Sequence, residues 1–286
     1  MRMTSSNPVL KRAMQSGQPG YGQPYQAPYG QGGHSQQPYG QYPQQGYPGG
    51  VDEASRPMTI DDVVMRTGMT IGMVILTAVV SFLLFDPLNP GLGMLLTFGG
   101  MIGGLVLGLI IGFKQSTNPV LILVYAALEG LFVGGISRLF EMMAGAEAGG
   151  LVTPAVFGTV FAFATMLTLY KTRVIRVTNT FVKVVMGALV AALVLILANL
   201  LLSFFIPGGL GLREPSMLGV IVTLVLIVIA CATLAIEFRG IEDGIAAGVP
   251  NRMAWQFAFG LTVSLVWLYI EIIRLLWMLQ AIFGGE

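Results

Sequence analysis

Apolar residues gather into seven runs, at 66–85, 92–113, 120–140, 151–170, 182–206, 217–238 and 254–283. Each reaches the length of about 20 residues that a spanning helix needs. The breaks between them are short and rich in Gly, Pro and Asn, as in Asp86-Pro87-Leu88-Asn89-Pro90 and Pro207-Gly208-Gly209. Such breaks end helices and turn the chain, and none is long enough for an inserted domain. The pattern predicts an all-α integral membrane protein, a seven-transmembrane-helix bundle over residues 59–286. Ahead of the first run, Thr59 and Asp62 have the spacing of a capping box.

The first 58 residues break this pattern. Residues 13–50 are built from Gly, Gln, Pro and Tyr, with Pro-Tyr-Gly-Gln at Pro28 to Gln31 and again at Pro38 to Gln41. With almost no aliphatic residues to bury, the segment is expected to be a disordered tether. It holds six of the nine tyrosines, so weak multivalent contact with itself or a partner is the alternative. No charged n-region followed by an apolar h-region precedes the first run, which is therefore expected to act as the insertion signal.

Composition agrees with the membrane reading: 55% of the 286 residues are hydrophobic, 10% are charged and 38 are glycine. A net charge of +1 suggests no nucleic-acid partner; the expected environment is the lipid bilayer. The charge is sorted by loop. With the N-terminus cytoplasmic, the inner loops hold Lys114, Lys171, Arg173, Arg176, Lys183, Arg239 and Arg252, and the outer side only Arg138 and Arg213. The outer side has Asp86, Glu141, Glu147 and Glu214 instead. The positive-inside rule is obeyed, and an odd number of spans places the C-terminus outside. Cys231 is the only cysteine, so no internal disulfide can form.

Candidate chemistry lies in acids within the apolar runs, where a carboxylate costs about 2.5–3.5 kcal/mol even on lenient insertion scales. Glu129 is near the middle of the third run, one helical turn after Tyr125, whose phenol is in reach of it. It reads equally as a protonated, hydrogen-bonded structural group and as a functional one. Glu271 has Arg274 three residues later on the same face. That spacing allows an ion pair, while Arg274 could also snorkel outward and leave the acid free. Glu237 closes the sixth run before Arg239, Glu242 and Asp243, which by hydropathy places it at the interface. Gly100, Gly104, Gly108 and Gly112 recur every four residues, as do Gly130 and Gly134. Small residues at that spacing let helix backbones approach closely. The only histidine, His34, is in the tail, so a membrane serine protease has no base. Neither a His-Glu-x-x-His site nor a phosphate-binding glycine loop is present, and enzyme activity is not expected.

Several stretches in order resemble the Bax inhibitor-1 family, also called the transmembrane Bax inhibitor motif family. They are Asn118-Pro119; Tyr125 to Gly130 continuing to Gly134-Gly135-Ile136-Ser137; Thr165 to Lys171; Ala235-Ile236-Glu237-Phe238; Ile241-Glu242-Asp243-Gly244; and Leu268-Tyr269-Ile270-Glu271-Ile272-Ile273. The resemblance covers roughly residues 60–286, and the tail looks like an addition found in a bacterial branch. It implies a seven-helix bundle with the last helix near its centre and a pH-sensitive calcium leak across a bacterial plasma membrane. It further implies a pair of proton-sharing acids late in the sixth helix and in the seventh, here Glu237 and Glu271, with calcium carried or weakly bound there and no cofactor. The sixth helix would then have to continue past Phe238. The family usually has Asp at both positions and Asn where this chain has Arg274, which could hold Glu271 ionised. The family's stress-related roles equally imply a non-conducting regulator that binds other membrane proteins, such as a membrane protease.

Overall fold

The computed structural model describes residues 56–145 and 149–284, which fall in one compact unit. The tail through residue 55, Glu147 and Glu286 lie outside the described residues. Among the described residues, seven helices are long and apolar enough to cross a membrane: α1 (Ile60–Leu84), α2 (Gly91–Lys114), α3 (Pro119–Ala144), α4 (Val152–Lys171), α5 (Asn179–Ser203), α6 (Met217–Ala246) and α7 (Ala254–Phe283). A one-turn 3-10 helix, Asn251–Met253, leads into α7.

Local chemistry sets the ends. Thr59 caps α1 in a full capping box: its hydroxyl accepts from the Asp62 N–H, and Asp62 accepts from the Thr59 N–H at 2.9 Å. Asn118, Thr178 and Ser216 cap α3, α5 and α6 through their side-chain oxygens. Gly145, at φ 62°, closes α3 in the left-handed conformation that glycine tolerates. Two helices overrun their apolar runs. Helix α1 begins at Ile60 rather than residue 66, because the cap lies there. Helix α6 continues eight residues beyond Phe238, because no proline interrupts it and Ile241 and Gly244 remain buried, the latter against Phe257 and Met58.

Helix α7 is the hub, packing against α1, α3, α4 and α6, while α2 lies on α3 and α5 on α6. A central helix must be buried all round. Accordingly Leu261, Thr262, Ser264, Val266, Leu268, Glu271 and Ile273 are all buried, on every side of α7. By contrast α5 buries only Val185 and Asn199.

The glycines are contact points. A Cβ on Gly100 would stand 2.6 Å from the Leu128 carbonyl oxygen and 2.8 Å from the Phe132 nitrogen of α3. Gly130 and Gly134 take α3 against α1, where a Cβ would overlap the backbone of Val74 and Ala78 respectively. Gly104 and Gly108 instead leave room for side chains of α3, Glu129 and Tyr125. The expectation that Gly112 continues the packing face is corrected: among the described residues nothing lies within 4 Å of its Cβ position, so the seam has ended one turn earlier.

At the basic end, the stretch before α1 is tied to the α6–α7 connection. Met58 N–H donates to the Val249 carbonyl at 2.8 Å, and Asn251 N–H donates to that of Arg56 at 2.8 Å. Met58 itself is buried in the largest core cluster, beside Phe238, Ile241 and Ala254.

Candidate functional site

Glu271 stands on α7, twelve residues short of its far end, and is 1% exposed. Three donors converge on its carboxylate. Arg274 Nη1 reaches Oε1 at 3.1 Å and Oε2 at 3.0 Å, and Trp267 Nε1 reaches Oε1 at 3.3 Å. The third is Arg213, from the α5–α6 connection, whose Nη2 meets Oε1 at 3.1 Å. Arg274 thus pairs with the acid rather than snorkelling away from it, and its guanidinium lies 5.8 Å from the centre of the Phe140 ring. Arg213 is brought in because its connection folds back on the bundle, where the Leu210 N–H donates to Asn199 Oδ1 at 2.9 Å.

A second buried acid lies at the same end. Glu141 is 0% exposed and closes α3 against the start of α4: its Oε1 accepts from the N–H groups of Leu151 and Val152, each at 3.4 Å. These are unpaired donors at a helix N-terminus, which favours a negative partner. Arg138 balances it at 3.4 Å and rests over the Phe82 ring.

From Glu271 towards the basic end, α7 carries hydroxyls that each meet a neighbouring helix. Tyr269 pairs with Ser137 of α3 at 2.9 Å, Ser264 accepts from Thr233 of α6 at 3.4 Å, and Thr262 pairs with Thr70 of α1 at 2.7 Å. The series is interrupted between Tyr269 and Ser264, where Leu268 packs in one core cluster with Ala230 and Leu234.

Glu237 is half-buried in α6 and faces α7 at Gly260, whose Cβ position is 2.6 Å from Oε2 and 2.8 Å from Oε1. This corrects the expected pairing of Glu237 with Glu271. Gly260 precedes Glu271 by eleven residues, about 16 Å along a helix rising 1.5 Å per residue, so the two carboxyls share neither a proton nor a calcium ion in this conformation. The reason is that α7, helical without a break from Ala254 to Phe283, holds the two levels apart. Among the described residues, no group of three or more His, Cys, Asp or Glu is placed to hold a metal.

Glu129 is half-buried on α3, facing the Gly104 position of α2, and Tyr125 faces Gly108 and stacks edge-on against Phe259 of α7 at 4.9 Å. The α2 glycines therefore make room for this polar pair. Arg213, Trp267 and Glu141 were not singled out from sequence. One signal could have found two of these contacts: Arg138 and Arg213 are the exceptions to the loop charge bias, and each binds a buried glutamate.

A family model described as Bax inhibitor 1 like matches residues 7–281. Among curated proteins none matches.

Proposed function

Because the chain belongs to the Bax inhibitor-1 like family, we propose that it is a passive, proton-regulated cation leak rather than an enzyme, with calcium the principal cargo, in a bacterial plasma membrane with its N-terminus cytoplasmic. The observation that carries this reading is the buried Glu271 clamped by Arg213 and Arg274 on the hub helix. Two guanidiniums lock Glu271 to the hub helix, and the apolar packing of Leu268 interrupts the polar series beneath it, which supports reading this arrangement as the closed form.

Opening follows from the clamp. The ion pairs exist only while Glu271 is ionised, so the closed state is favoured at higher pH and loses that support as pH falls. Protonation leaves two guanidiniums without a counter-charge, and Arg213, 26% exposed on a connection, is the one free to leave. Its departure would loosen the connection folded over α7 and the packing beneath it, a two-state change of the kind that local charge can bias. Glu237 and Glu129 then serve as separate polar stations for a passing cation. Calcium needs six to eight oxygens, which single carboxylates with water and backbone can offer only transiently; that suits a leak better than a store.

The test is calcium flux into liposomes holding the purified full chain between pH 5 and 8. Flux should rise as pH falls. Protein that passes no ions at any pH, while cross-linking to one defined membrane partner in cells, would instead support a non-conducting regulator.

A further inference from the structure

Between α1 and α4 the bundle leaves a groove of about 1090 Å³ at its basic end, just above the roughly 300–1,000 Å³ of common ligand clefts. Its walls are apolar, with Val63 and Val64 on one side and Phe163 and Leu167 on the other. Phe163 also lines a second, almost wholly apolar cleft of about 380 Å³ further along the same two helices. The apolar track therefore runs on towards the middle of the bundle.

The mouth of the groove is cationic. Lys171, Arg173, Arg176 and Arg239 line it, against Glu242 and Asp243. Both acids are engaged: Glu242 accepts from the Tyr170 hydroxyl, and Asp243 pairs with Arg239 at 3.3 Å. Lys171, Arg173 and Arg176 are exposed and take part in no ion pair among the described residues. Arg173 is held at φ 58°, in the left-handed region where glycine is the ordinary choice. One step deeper, the Thr67 hydroxyl is buried on the groove wall, with no hydrogen-bond partner among the described residues.

We propose that this groove is a binding site for an anionic phospholipid of the adjacent leaflet, its phosphate at Lys171, Arg173 and Arg176 and one acyl chain along the α1–α4 track. Basic pockets between membrane helices suit such headgroups. The three free cations supply the charge complementarity, and they disfavour a headgroup that carries its own amine. Apolar walls that continue past the mouth fit a chain, which a free anion lacks.

The test is native mass spectrometry of the full chain in neutral detergent with equimolar phosphatidylglycerol and phosphatidylcholine of matched chains. One phosphatidylglycerol is expected to be retained at least tenfold over phosphatidylcholine. The preference should fall to within about twofold in the triple variant Lys171→Gln, Arg173→Gln, Arg176→Gln, and stay unchanged in Lys114→Gln, a basic-end residue outside the groove. Leu167→Trp, which fills the apolar wall without touching a charge, should lower occupancy at least threefold and covers the case in which the triple variant does not fold. Equal retention of the two lipids, an unchanged preference in the triple variant, an equal loss in Lys114→Gln, or full occupancy in Leu167→Trp would each overturn the proposal. Displacement by glycerol phosphate at the same concentration would do so as well, since the site would then hold the phosphate alone.

Discussion

Arg213, on the connection ahead of α6, reaches Glu271 of α7 at 3.1 Å across 58 positions of sequence. The contact joins the α5–α6 connection to the one acid of the hub helix. A carboxylate at 1% exposure is tolerable only with partners, and Glu271 has two guanidiniums and an indole N–H.

The two arginines should not be equivalent. Arg274 touches both carboxylate oxygens and is 12% exposed, whereas Arg213 touches one and is 26% exposed. Losing one partner of a buried pair costs about 3–5 kcal/mol when the charge is left alone. With a second guanidinium remaining, Arg274→Gln is expected to cost about 2 kcal/mol and Arg213→Gln about 1 kcal/mol. Thermal unfolding in detergent measures the order, and Arg213→Gln should be the variant that raises leak at neutral pH.

The glycine seams give a graded prediction. Gly134→Leu drives a side chain into the backbone of Ala78, and Gly100→Leu into that of Leu128 and Phe132. Backbone cannot yield as a side-chain end can, so each should cost more than about 2 kcal/mol or abolish folding. Gly112→Leu meets open space and should stay within about 0.5 kcal/mol of wild type. Yield of monodisperse protein and melting temperature decide between them.

Glu237 is expected to affect conduction without setting the pH response. Glu237→Gln should lower calcium flux several-fold and leave the pH midpoint in place, because Glu237 contacts neither arginine of the clamp. A shift of the midpoint in liposome flux would show that the two acids are coupled in another conformation.

Truncation tests what the residues ahead of α1 contribute. Removing residues 1–55 should leave flux and melting temperature unchanged. Removing residues 1–58 takes away the buried Met58 and its bond to Val249, together with the Arg56–Asp62 pair at 2.6 Å. A loss of about 2–4 kcal/mol is expected, dominated by the Met58 side chain.

Much of the bundle could be read from sequence because a spanning helix has one requirement, a long apolar run, which seven segments meet. The Gly100 and Gly134 contacts were legible for a similar reason, since close backbone approach needs small residues at fixed spacing. Glu237 was harder. Hydropathy stopped the helix at Phe238, but hydrogen bonding continues it to Ala246, and the partner of Glu237 is a glycine, which advertises nothing. The pairing of Glu237 with Glu271 rests on resemblance, and their offset of 34 positions gives no measure of the separation along α7. Arg213 was visible only as a charge on the wrong side. Glu141 looked like a loop acid, because burial at a helix junction leaves no periodic trace.

The most direct measurement is calcium flux through Glu271→Gln in liposomes between pH 5 and 8. An amide cannot hold two guanidiniums as a carboxylate does, so flux at pH 8 should rise to the level that wild type reaches at pH 5 and vary little with pH. A variant that leaks with the wild-type pH dependence would contradict the assignment of Glu271 as the proton-sensitive latch.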